Sequence, residues 1–197
     1  MATSAARRIV LASTSKYRKL LLERFGLAFE TARPDTDETA LPDESPTATA
    51  ERLALAKAQA VRSHYPDALI IGSDQVAHMD GQVFGKPGTV DAAIGQLTRM
   101  SGRTVVFDTA LCLLDAASGE FRVETVPTRV RFRELVADEI RRYVDLERPL
   151  DCAGSAKSEG LGITLLEALS GDDPTALVGL PLIALSRMLR AGGVRLP

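Results

Sequence analysis

The sequence predicts a protein of the α/β class, in which helices pack on a sheet. Two kinds of segment alternate along the first half of its 197 residues. Segments 9–12 and 68–71 are short apolar runs with β-branched residues, as in strands buried on both faces, whereas segment 46–63 has apolar residues at helical spacing. Farther along, segments 103–114 and 120–131 flank an Ala-Ala-Ser-Gly turn and predict two long antiparallel strands.

Composition excludes several classes of protein. With 45% hydrophobic residues the chain can bury a sizeable core, and we expect one folding unit. The 24 basic and 26 acidic residues leave a net charge of −2, so neither a nucleic acid polymer nor a membrane is expected as a partner. Cys112 and Cys152 suit neither a disulfide framework nor a cysteine-rich zinc site. Residues 1–8 lack the apolar core of a signal peptide and no stretch approaches membrane-spanning length, so we expect a cytoplasmic protein.

The first predicted strand, 9–12, leads into three hydroxyl residues and a helix that ends at Gly26. Hydroxyl side chains at a helix start can cap free N–H groups, and they can equally help to bind a phosphate. The first turn of this helix carries Lys16, Arg18 and Lys19, whose charges oppose the helix dipole unless an anion binds there. That conflict favours the phosphate interpretation.

An acidic loop follows the second predicted strand. The strand covers 27–31, and loop 33–45 contains Asp35, Asp37 and Glu38. Acidic residues in a polar loop are usually solvated, and the sequence leaves open whether these have a further role.

The second helix carries a lysine on its apolar face. Ser45 and Pro46 form a good helix start. Lys57 lies four residues from both Leu53 and Val61, so its side chain is expected to run along the buried side. A buried lysine is paired or functional, although its ammonium can also reach solvent past the apolar residues.

Segment 69–87 organises the predicted site. The buried strand at its start is expected to end at Gly72, Ser73 and Asp74, which puts this acid at the exit of a buried strand, where α/β proteins bind ligands. Residues 75–79 are expected to continue as an extended run. The Asp-Gly pair that follows is the signal for a two-residue type I′ hairpin. This hairpin is expected to bring Lys86 back beside Asp74.

The second half of the chain predicts further helices and strands. Thr89 caps a helix that ends at Gly102. In strand 120–131, Val126, Val130 and Phe132 are expected on one face, with Thr128, Arg131 and Arg133 on the polar sides. Beyond it come a helix at 137–146, a Gly/Ala/Ser-rich segment at 151–162 with Lys157 and Glu159, a strand at 163–169 and a helix opened by Pro181.

The unusual polar residues in these segments suit a phosphate ester. Carboxylates hold a hard divalent cation through oxygen, while lysine and arginine neutralise phosphate charge. The sequence has no Walker A motif, no G-x-G-x-x-G fingerprint, no zinc-ligand spacing and no G-x-S-x-G elbow, so water is the expected nucleophile. The residues concerned are Arg18, Glu38, Lys57, Asp74 and Lys86.

Several short motifs occur in an order that resembles the Maf family of nucleoside triphosphate pyrophosphatases. They are LASTSKYRKLL, the Asp37-Glu38 pair, ALAKAQA around Lys57, IIGSDQV, GKP at 85–87, CAGSAKSEG and LVGLPL. The resemblance covers nearly the whole chain. Within it, Gln75 and the SEG tripeptide at 158–160 resemble the YceF-type branch, whose implied substrate is 7-methyl-GTP.

The resemblance implies a fold and an activity. The fold would be an elongated α/β fold related to the inosine triphosphatases, with residues 1–197 forming a single domain that has a mixed twisted sheet, flanking helices and a cleft between two lobes. The activity would be hydrolysis of a nucleoside triphosphate to the monophosphate and diphosphate, by attack of water at the α-phosphorus. A divalent cation (magnesium, manganese or cobalt) and often a homodimer are implied as well.

The resemblance also implies roles for individual residues. Asp74 matches the family's catalytic acid and general base, and the other matching active-site positions are Ser13, Arg18, Glu38, Lys57 and Lys86. We expect Arg18, Lys57 and Lys86 to stabilise phosphate charge, and Glu38 to join Asp74 as a metal ligand. The expected substrate-binding residues are Ser13, Tyr17, Gln75 and Glu159.

Two positions depart from the family pattern. Lys16 stands where the family usually has proline, and Tyr17 where this branch usually has tryptophan. An aromatic ring attracts a cation such as 7-methylguanine, and tyrosine does so less well than tryptophan, so the preference for this base is expected to survive in weakened form. Glu159 would accept hydrogen bonds from the guanine N–H edge, and Gln75 would read another polar edge. The helical spacing equally allows Tyr17 to be a core residue.

Two alternative functions stay open at this point. In the first, the same fold hydrolyses dTTP, UTP or CTP. In the second, the protein is a nucleotide-binding regulator of septum formation that needs no turnover. The full set of acids and cations favours an enzyme, because a sensor needs no base to activate water.

Overall fold

The computed structural model describes residues 7–197, so most of the N-terminal segment 1–8 lies outside the described part. The strands are β1 (Arg8–Ala12), β2 (Glu30–Ala32), β3 (Ala68–Met79), β4 (Gln82–Phe84), β5 (Thr104–Asp115), β6 (Phe121–Phe132) and β7 (Leu166–Ser170). The helices are α1 (Lys16–Glu23), α2 (Pro46–Val61), α3 (Val90–Met100), α4 (Ala137–Glu147) and α5 (Leu182–Ala191).

All of these strands belong to one mixed sheet with the order β2-β1-β3-β5-β6-β7, and β4 pairs with β3. β1 is parallel to both β2 and β3, because α1 and α2 form the long connections that parallel strands require. The remaining pairs are antiparallel, including the long β5–β6 hairpin. The predicted α/β class, with a mixed sheet and flanking helices, is confirmed.

The strand that carries Asp74 differs from the prediction. β3 does not end at Gly72–Asp74 but is a single strand of 12 residues, from Ala68 through Asp74 to Met79. What ends there is its neighbour β1, whose last pair with β3 joins Leu11 to Ile71. Asp74 therefore lies at the point where a parallel neighbour leaves the sheet, rather than at the exit of its own strand.

Gly72 has a packing role instead of a terminating one. A Cβ atom at this position would lie 2.1 Å from the carbonyl oxygen of Ala54 in α2. Only glycine allows α2 to approach the strand this closely. The close approach brings Lys57, on the same helix, to the strand that carries Asp74.

The predicted hairpin is confirmed. Met79 pairs with Gln82 across a two-residue turn, and both turn residues have positive φ, 50° at Asp80 and 78° at Gly81. These values are those of a type I′ turn. The turn reverses the chain, so that β4 runs back along β3 as far as the pair of Phe84 with Ala77.

Buried apolar residues of the described chain form three clusters along the sheet. One face packs against α1 and α5, with Leu22 and Leu185 fully buried. The opposite face packs against α2, whose Ala50, Ala54 and Ala58 allow a close fit. The third cluster gathers α3 and α4 against the far half of the long strands. The division into a single domain with two lobes stays a prediction.

Three details of the prediction are wrong. The short strand predicted at 27–31 begins only at Glu30, and the one predicted at 163–169 begins only at Leu166, after a 3₁₀ turn. Thr128 is on the core side of β6, because alternation along a strand puts it on the same face as Val126 and Val130. Within residues 7–197, none of the helices combines the length and the apolar character needed to cross a membrane.

Candidate active site

A cleft of about 820 Å³ opens beside the end of β1, a volume typical of small-ligand sites. The walls come from the β1–α1 junction, the 33–44 loop, α2, the middle of β3, the segment after β4, and segments 151–159 and 177–179. All residues predicted for the site line this cleft: Ser13, Tyr17, Arg18, Glu38, Lys57, Asp74, Gln75, Lys86 and Glu159. Segments far apart in sequence therefore converge as expected.

Lys57 lies at the centre of the charged end of the cleft. Its ammonium nitrogen Nζ is 2.5 Å from Oδ1 of Asp74 and 2.6 Å from Oε1 of Glu38. The side chains of Lys57 and Asp74 are only 7% and 11% exposed, whereas that of Glu38 is 51% exposed. A buried ammonium is held by ion pairs and hydrogen bonds, which excludes the solvent-reaching alternative for Lys57.

Glu38 ionises more readily than an ordinary glutamate. Its partial burial opposes the charge, but the hydrogen bond with Lys57 and the charges of Lys57, Lys86 and Arg18 together outweigh that effect and lower the pKa of Glu38. Lys86 and Asp74 both line the cleft, and the charge of Lys86 acts on Glu38; a position of Lys86 directly beside Asp74 stays a prediction.

The start of α1 faces the cleft with its hydroxyl residues. Ser15 is the N-cap, and its Oγ accepts a hydrogen bond from the backbone N–H of Arg18 at 3.4 Å. Ser13 is buried, and its Oγ accepts from the backbone N–H of Ser15 at 3.1 Å. The first turn of α1 contains no acidic residue, while Lys16 and Arg18 line the cleft. This end of the helix is suited to an anion.

Arg18 is oriented by the backbone near the C-terminus. Its Nε donates to the carbonyl of Gly179 at 2.8 Å, and that oxygen also lies 2.9 Å from the hydroxyl of the fully buried Ser73. Desolvation lowers the pKa of Arg18, an effect that the charges of Asp74 and Glu38 oppose. The guanidinium stays protonated at neutral pH, because its ordinary pKa is far above 7.

Gln75 is more constrained than the sequence indicated. Its amide nitrogen Nε2 lies within hydrogen-bond distance of Thr109 Oγ1, the carbonyl of Ala176 and the carbonyl of Leu177, at 2.9, 3.1 and 3.0 Å. These acceptors saturate its two N–H groups. A ligand can therefore use only the amide oxygen of Gln75, which makes the residue an acceptor.

The other end of the cleft contains Tyr17 and the 151–159 segment. Tyr17 is half-buried and belongs to the cleft lining, with Nζ of Lys16 4.9 Å from its ring centroid. Tyr17 belongs to none of the buried apolar clusters of the described chain, so its place in the cleft lining favours a ligand-binding role over the core role that the helical spacing allowed. Burial opposes the charge of Lys157, but the neighbouring Tyr17 and Asp151 outweigh it and raise the pKa of Lys157.

Cys152 also lines the cleft, yet it is unsuited to act as a nucleophile. Burial raises the pKa of its thiol to about 12. Since the thiolate is the reactive form, the thiol is inert at neutral pH. This agrees with the expectation that water is the nucleophile.

The carboxylates of Glu38 and Asp74 fit a divalent cation that is shared with a ligand. Both already converge on one cation, the ammonium of Lys57. Residues 7–197 contain no group of three or more His, Cys, Asp or Glu side chains arranged to hold a metal. Magnesium commonly uses one or two carboxylates and completes its shell with water and substrate phosphates, which is the arrangement this pair allows.

Sequence reasoning missed several residues of the cleft. Arg33 lines it from the 33–44 loop, beside Asp35, whose role the sequence left open, and Glu44 and Thr49 line it near the start of α2. The carbonyl of Gly179 was not foreseen either, because a backbone group that positions Arg18 leaves no pattern in side chains. The signal available was the motif LVGLPL, which includes this glycine.

Residues 8–192 match the model of the family described as Maf-like protein, and the chain belongs to that family. A 7-methyl-GTP pyrophosphatase of Aromatoleum aromaticum is 72% identical to it over 190 residues, which cover 96% of this chain and 98% of the relative. The 7-methyl-GTP pyrophosphatases of Cupriavidus pinatubonensis and a Polaromonas species are 57% and 55% identical. Those matches cover 98% of this chain, and 97% and 89% of the two relatives.

Proposed function

We propose that the protein hydrolyses 7-methyl-GTP to 7-methyl-GMP and diphosphate. The observation that carries the proposal is the buried ammonium of Lys57 held between Asp74 and Glu38, in a cleft that also contains Arg18 and Lys86. Paired acids and surrounding cations are what phosphoryl chemistry requires. The choice of 7-methyl-GTP as the substrate rests on the names of the relatives, which are 7-methyl-GTP pyrophosphatases.

In the proposed reaction, the oxygen of water forms a bond to the α-phosphorus and the bridging bond to the β-phosphate breaks. Asp74 accepts the proton of the water, and the diphosphate leaves with the bonding electron pair. Lys57, Lys86 and Arg18 neutralise the charge that develops on the phosphate oxygens. A divalent cation bound to Glu38 and Asp74 would supply further charge neutralisation at the phosphates.

The proposed base site is at the Tyr17 end of the cleft. The 7-methylguanine ring carries a positive charge, and the face of Tyr17 attracts cations. Glu159 is exposed in the cleft lining, where its carboxylate can accept from the guanine N–H edge. Gln75 offers an oxygen acceptor only, since its N–H groups are bonded to the protein.

A nucleotide panel with product identification tests this function. We expect release of diphosphate from 7-methyl-GTP, with a kcat/KM higher than for GTP, dTTP, UTP or CTP. Release of orthophosphate would refute attack at the α-phosphorus. Equal values for all nucleotides would refute the base assignment, a preference for dTTP, UTP or CTP would support the related branch, and binding without turnover would support a regulator.

The Asp74→Asn variant tests the role of the carboxylate. Asparagine keeps the shape of the side chain but cannot accept the proton, so we expect kcat to fall by about 10²- to 10⁴-fold, the usual contribution of a general base. The matched control is Asp91→Asn, which makes the same change at an exposed position of α3. Full activity of Asp74→Asn in diphosphate release would contradict the assignment.

The expected homodimer and cytoplasmic location stay predictions, as does the expectation that neither a nucleic acid polymer nor a membrane is a partner. Light scattering of the purified protein measures the oligomeric state directly. Fractionation of the source cells tests the location.

A further inference from the structure

Gln96 is a polar residue on the apolar side of α3. It shares the buried face of this helix with Ala93, Leu97 and Met100, and it is 8% exposed. A leucine at this position would continue the apolar face. Burying an amide is unfavourable unless both of its ends are hydrogen-bonded, so its partners indicate why it is there.

Both ends of the Gln96 amide are bonded, and to different segments of the chain. Its Nε2 donates to the carbonyl of Gly85 at 3.0 Å. Its Oε1 accepts from the hydroxyl of Ser155, which is completely buried, at 2.6 Å. A backbone hydrogen bond from the N–H of Gly88 to the carbonyl of Leu150 also joins the chain beside Gly85 to the residue that precedes Asp151.

Each of these segments carries residues of the cleft. Gly85 and the adjacent Lys86 line the cleft. Ser155 lies within the segment that contributes Ala156 and Glu159 to the same lining. Gln96 itself is not part of the lining formed by residues 7–197, so it acts on the cleft only through its two partners.

The backbone around Ser155 needs such support. Ser155 has a φ of 54°, in the left-handed region that a residue with a side chain adopts only at a cost in free energy. The preceding Gly154 has a φ of 67° and packs so closely on Phe107 that a Cβ would lie 2.9 Å from its ring. The hydroxyl bond to Gln96 is one contact that holds this turn in place.

We propose that Gln96 is a positioning residue that holds the 85–88 segment and the 151–159 segment in one fixed arrangement. It thereby sets the distance between the cation Lys86 and the carboxylate Glu159, which both line the cleft. The inference rests on the proposed function for the roles of Lys86 and Glu159, but the coupling of the two segments is a property of the protein without nucleotide.

Three variants test the two hydrogen bonds of Gln96 together and separately. Gln96→Leu removes both hydrogen bonds and suits the apolar face. Gln96→Glu keeps the acceptor for Ser155 but replaces the donor to Gly85 with an oxygen. Ser155→Ala removes only the hydrogen bond that Ser155 donates to Gln96. The matched control is Thr98→Ala, on the exposed side of the same helix, where the hydroxyl bonds only its own helix at Ile94.

Kinetics give the first test. We expect Gln96→Leu to lower kcat/KM for 7-methyl-GTP by about tenfold to a hundredfold, the usual effect of a small misplacement of reacting groups. Gln96→Glu should lower kcat for 7-methyl-GTP and GTP alike, because it disturbs the phosphate end. Ser155→Ala should instead change the ratio of kcat/KM between these nucleotides. Values within twofold of Thr98→Ala for all three variants would overturn the proposal.

Hydrogen exchange of the nucleotide-free protein gives a second test that does not depend on activity. We expect Gln96→Leu to speed amide exchange in peptides covering 85–88 and 151–159, and Thr98→Ala to leave both unchanged. Should Gln96→Leu fail to fold, Gln96→Glu and Ser155→Ala must speed exchange in segments 85–88 and 151–159 respectively. Unchanged exchange would refute the coupling. If exchange is faster in the variants but the wild-type protein hydrolyses no nucleotide, the proposed function is refuted and the coupling of the two segments is supported.

Discussion

Thr128 is a buried residue whose hydroxyl has no hydrogen-bond partner within residues 7–197. Its side chain is 1% exposed and belongs to the core side of β6. A buried hydroxyl without a partner has lost its bonds to water and gained nothing in return. Nothing in the proposed reaction uses it, so its cost should appear in stability alone.

The Thr128→Val variant should therefore be more stable than the wild type. Valine has the same shape without the hydroxyl, and we expect the free energy of unfolding to rise by about 1 kcal/mol. Denaturation by urea, followed by circular dichroism, measures the change.

Thr109→Val is the matched control for this change. Thr109 is also fully buried, but its Oγ1 donates to the carbonyl of Ala176 and accepts from Gln75. The same substitution there should lower the free energy of unfolding by about 1 to 3 kcal/mol. A loss of stability in Thr128→Val, equal to that in Thr109→Val, would contradict the assignment of an unsatisfied hydroxyl.

At the scale of elements, the 33–44 loop is held against α2 by one glutamate. Both carboxylate oxygens of Glu44 bind Arg52, with Nε 2.6 Å from Oε1 and the terminal nitrogen 2.8 Å from Oε2. The same Oε2 accepts from Thr49 and from the backbone N–H of Leu41, while Arg52 also donates to the carbonyl of Thr39. The loop that carries Glu38 is thus fixed at its C-terminal end.

These bonds predict a dependence of stability on pH. The hydrogen bond with Arg52 lowers the pKa of Glu44 from 4.5 to about 2, despite an opposing contribution from burial. A lowered pKa in the folded state means that the contribution is complete above pH 4.5 and is lost as the pH falls towards 2. Glu44→Gln should therefore be less stable than wild type at pH 7, and the difference should shrink as the pH falls through this range.

Urea unfolding at a series of pH values measures this difference. Glu120→Gln makes the same change at an exposed position between β5 and β6, and it should leave the stability nearly unchanged at every pH. A difference between Glu44→Gln and wild type that stays constant from pH 7 to pH 3 would contradict the role of the ionised carboxylate.

For the whole molecule, the ion pairs of Lys57 predict how metal and nucleotide bind together. In the protein without ligand, the ammonium of Lys57 already compensates the charges of Glu38 and Asp74. A metal alone must compete with this internal cation and finds only two carboxylates. A nucleotide supplies the missing phosphate oxygens, so the two ligands should bind cooperatively.

Thermal unfolding measures this cooperativity without turnover. The nucleotide is a 7-methyl-GTP analogue with a methylene group between the α- and β-phosphorus atoms. With saturating magnesium, the analogue at about 100 times its Kd should stabilise the folded protein by about 2.7 kcal/mol. This stabilisation should raise the Tm by about 5 to 10 °C. Magnesium alone should give little change, and Glu38→Gln should lose most of the joint effect. An equal rise with magnesium alone would contradict a shared metal site.

Much of the fold could be predicted because its signals are local. The caps Ser45 and Thr89, the Asp80-Gly81 turn and the apolar runs of the strands act within a few residues, and the structure confirms them. The errors at β2, β7 and Thr128 arise where a residue's environment depends on which neighbour covers it. Sequence spacing does not contain that information.

The sequence by itself determined which residues are chemically out of place. Lys57 is a lysine among apolar helix residues, and Asp74 is an acid directly after a buried apolar run. A charge buried at such a position requires a partner, since an unpaired charge is too costly to bury. The partners of Lys57 and Asp74 come from distant segments, and each partner is itself a charged residue. The roles of these residues in the reaction stay predictions.

Only the tertiary structure decided how the residues are held. It moved Asp74 from the end of a strand to the middle of one, beside the end of β1. It also bonded the N–H groups of Gln75, oriented Arg18 through the carbonyl of Gly179 and connected two walls of the cleft through Gln96. The physical reason is that a hydrogen bond to a backbone carbonyl depends on where the chain returns, and any residue can supply that carbonyl.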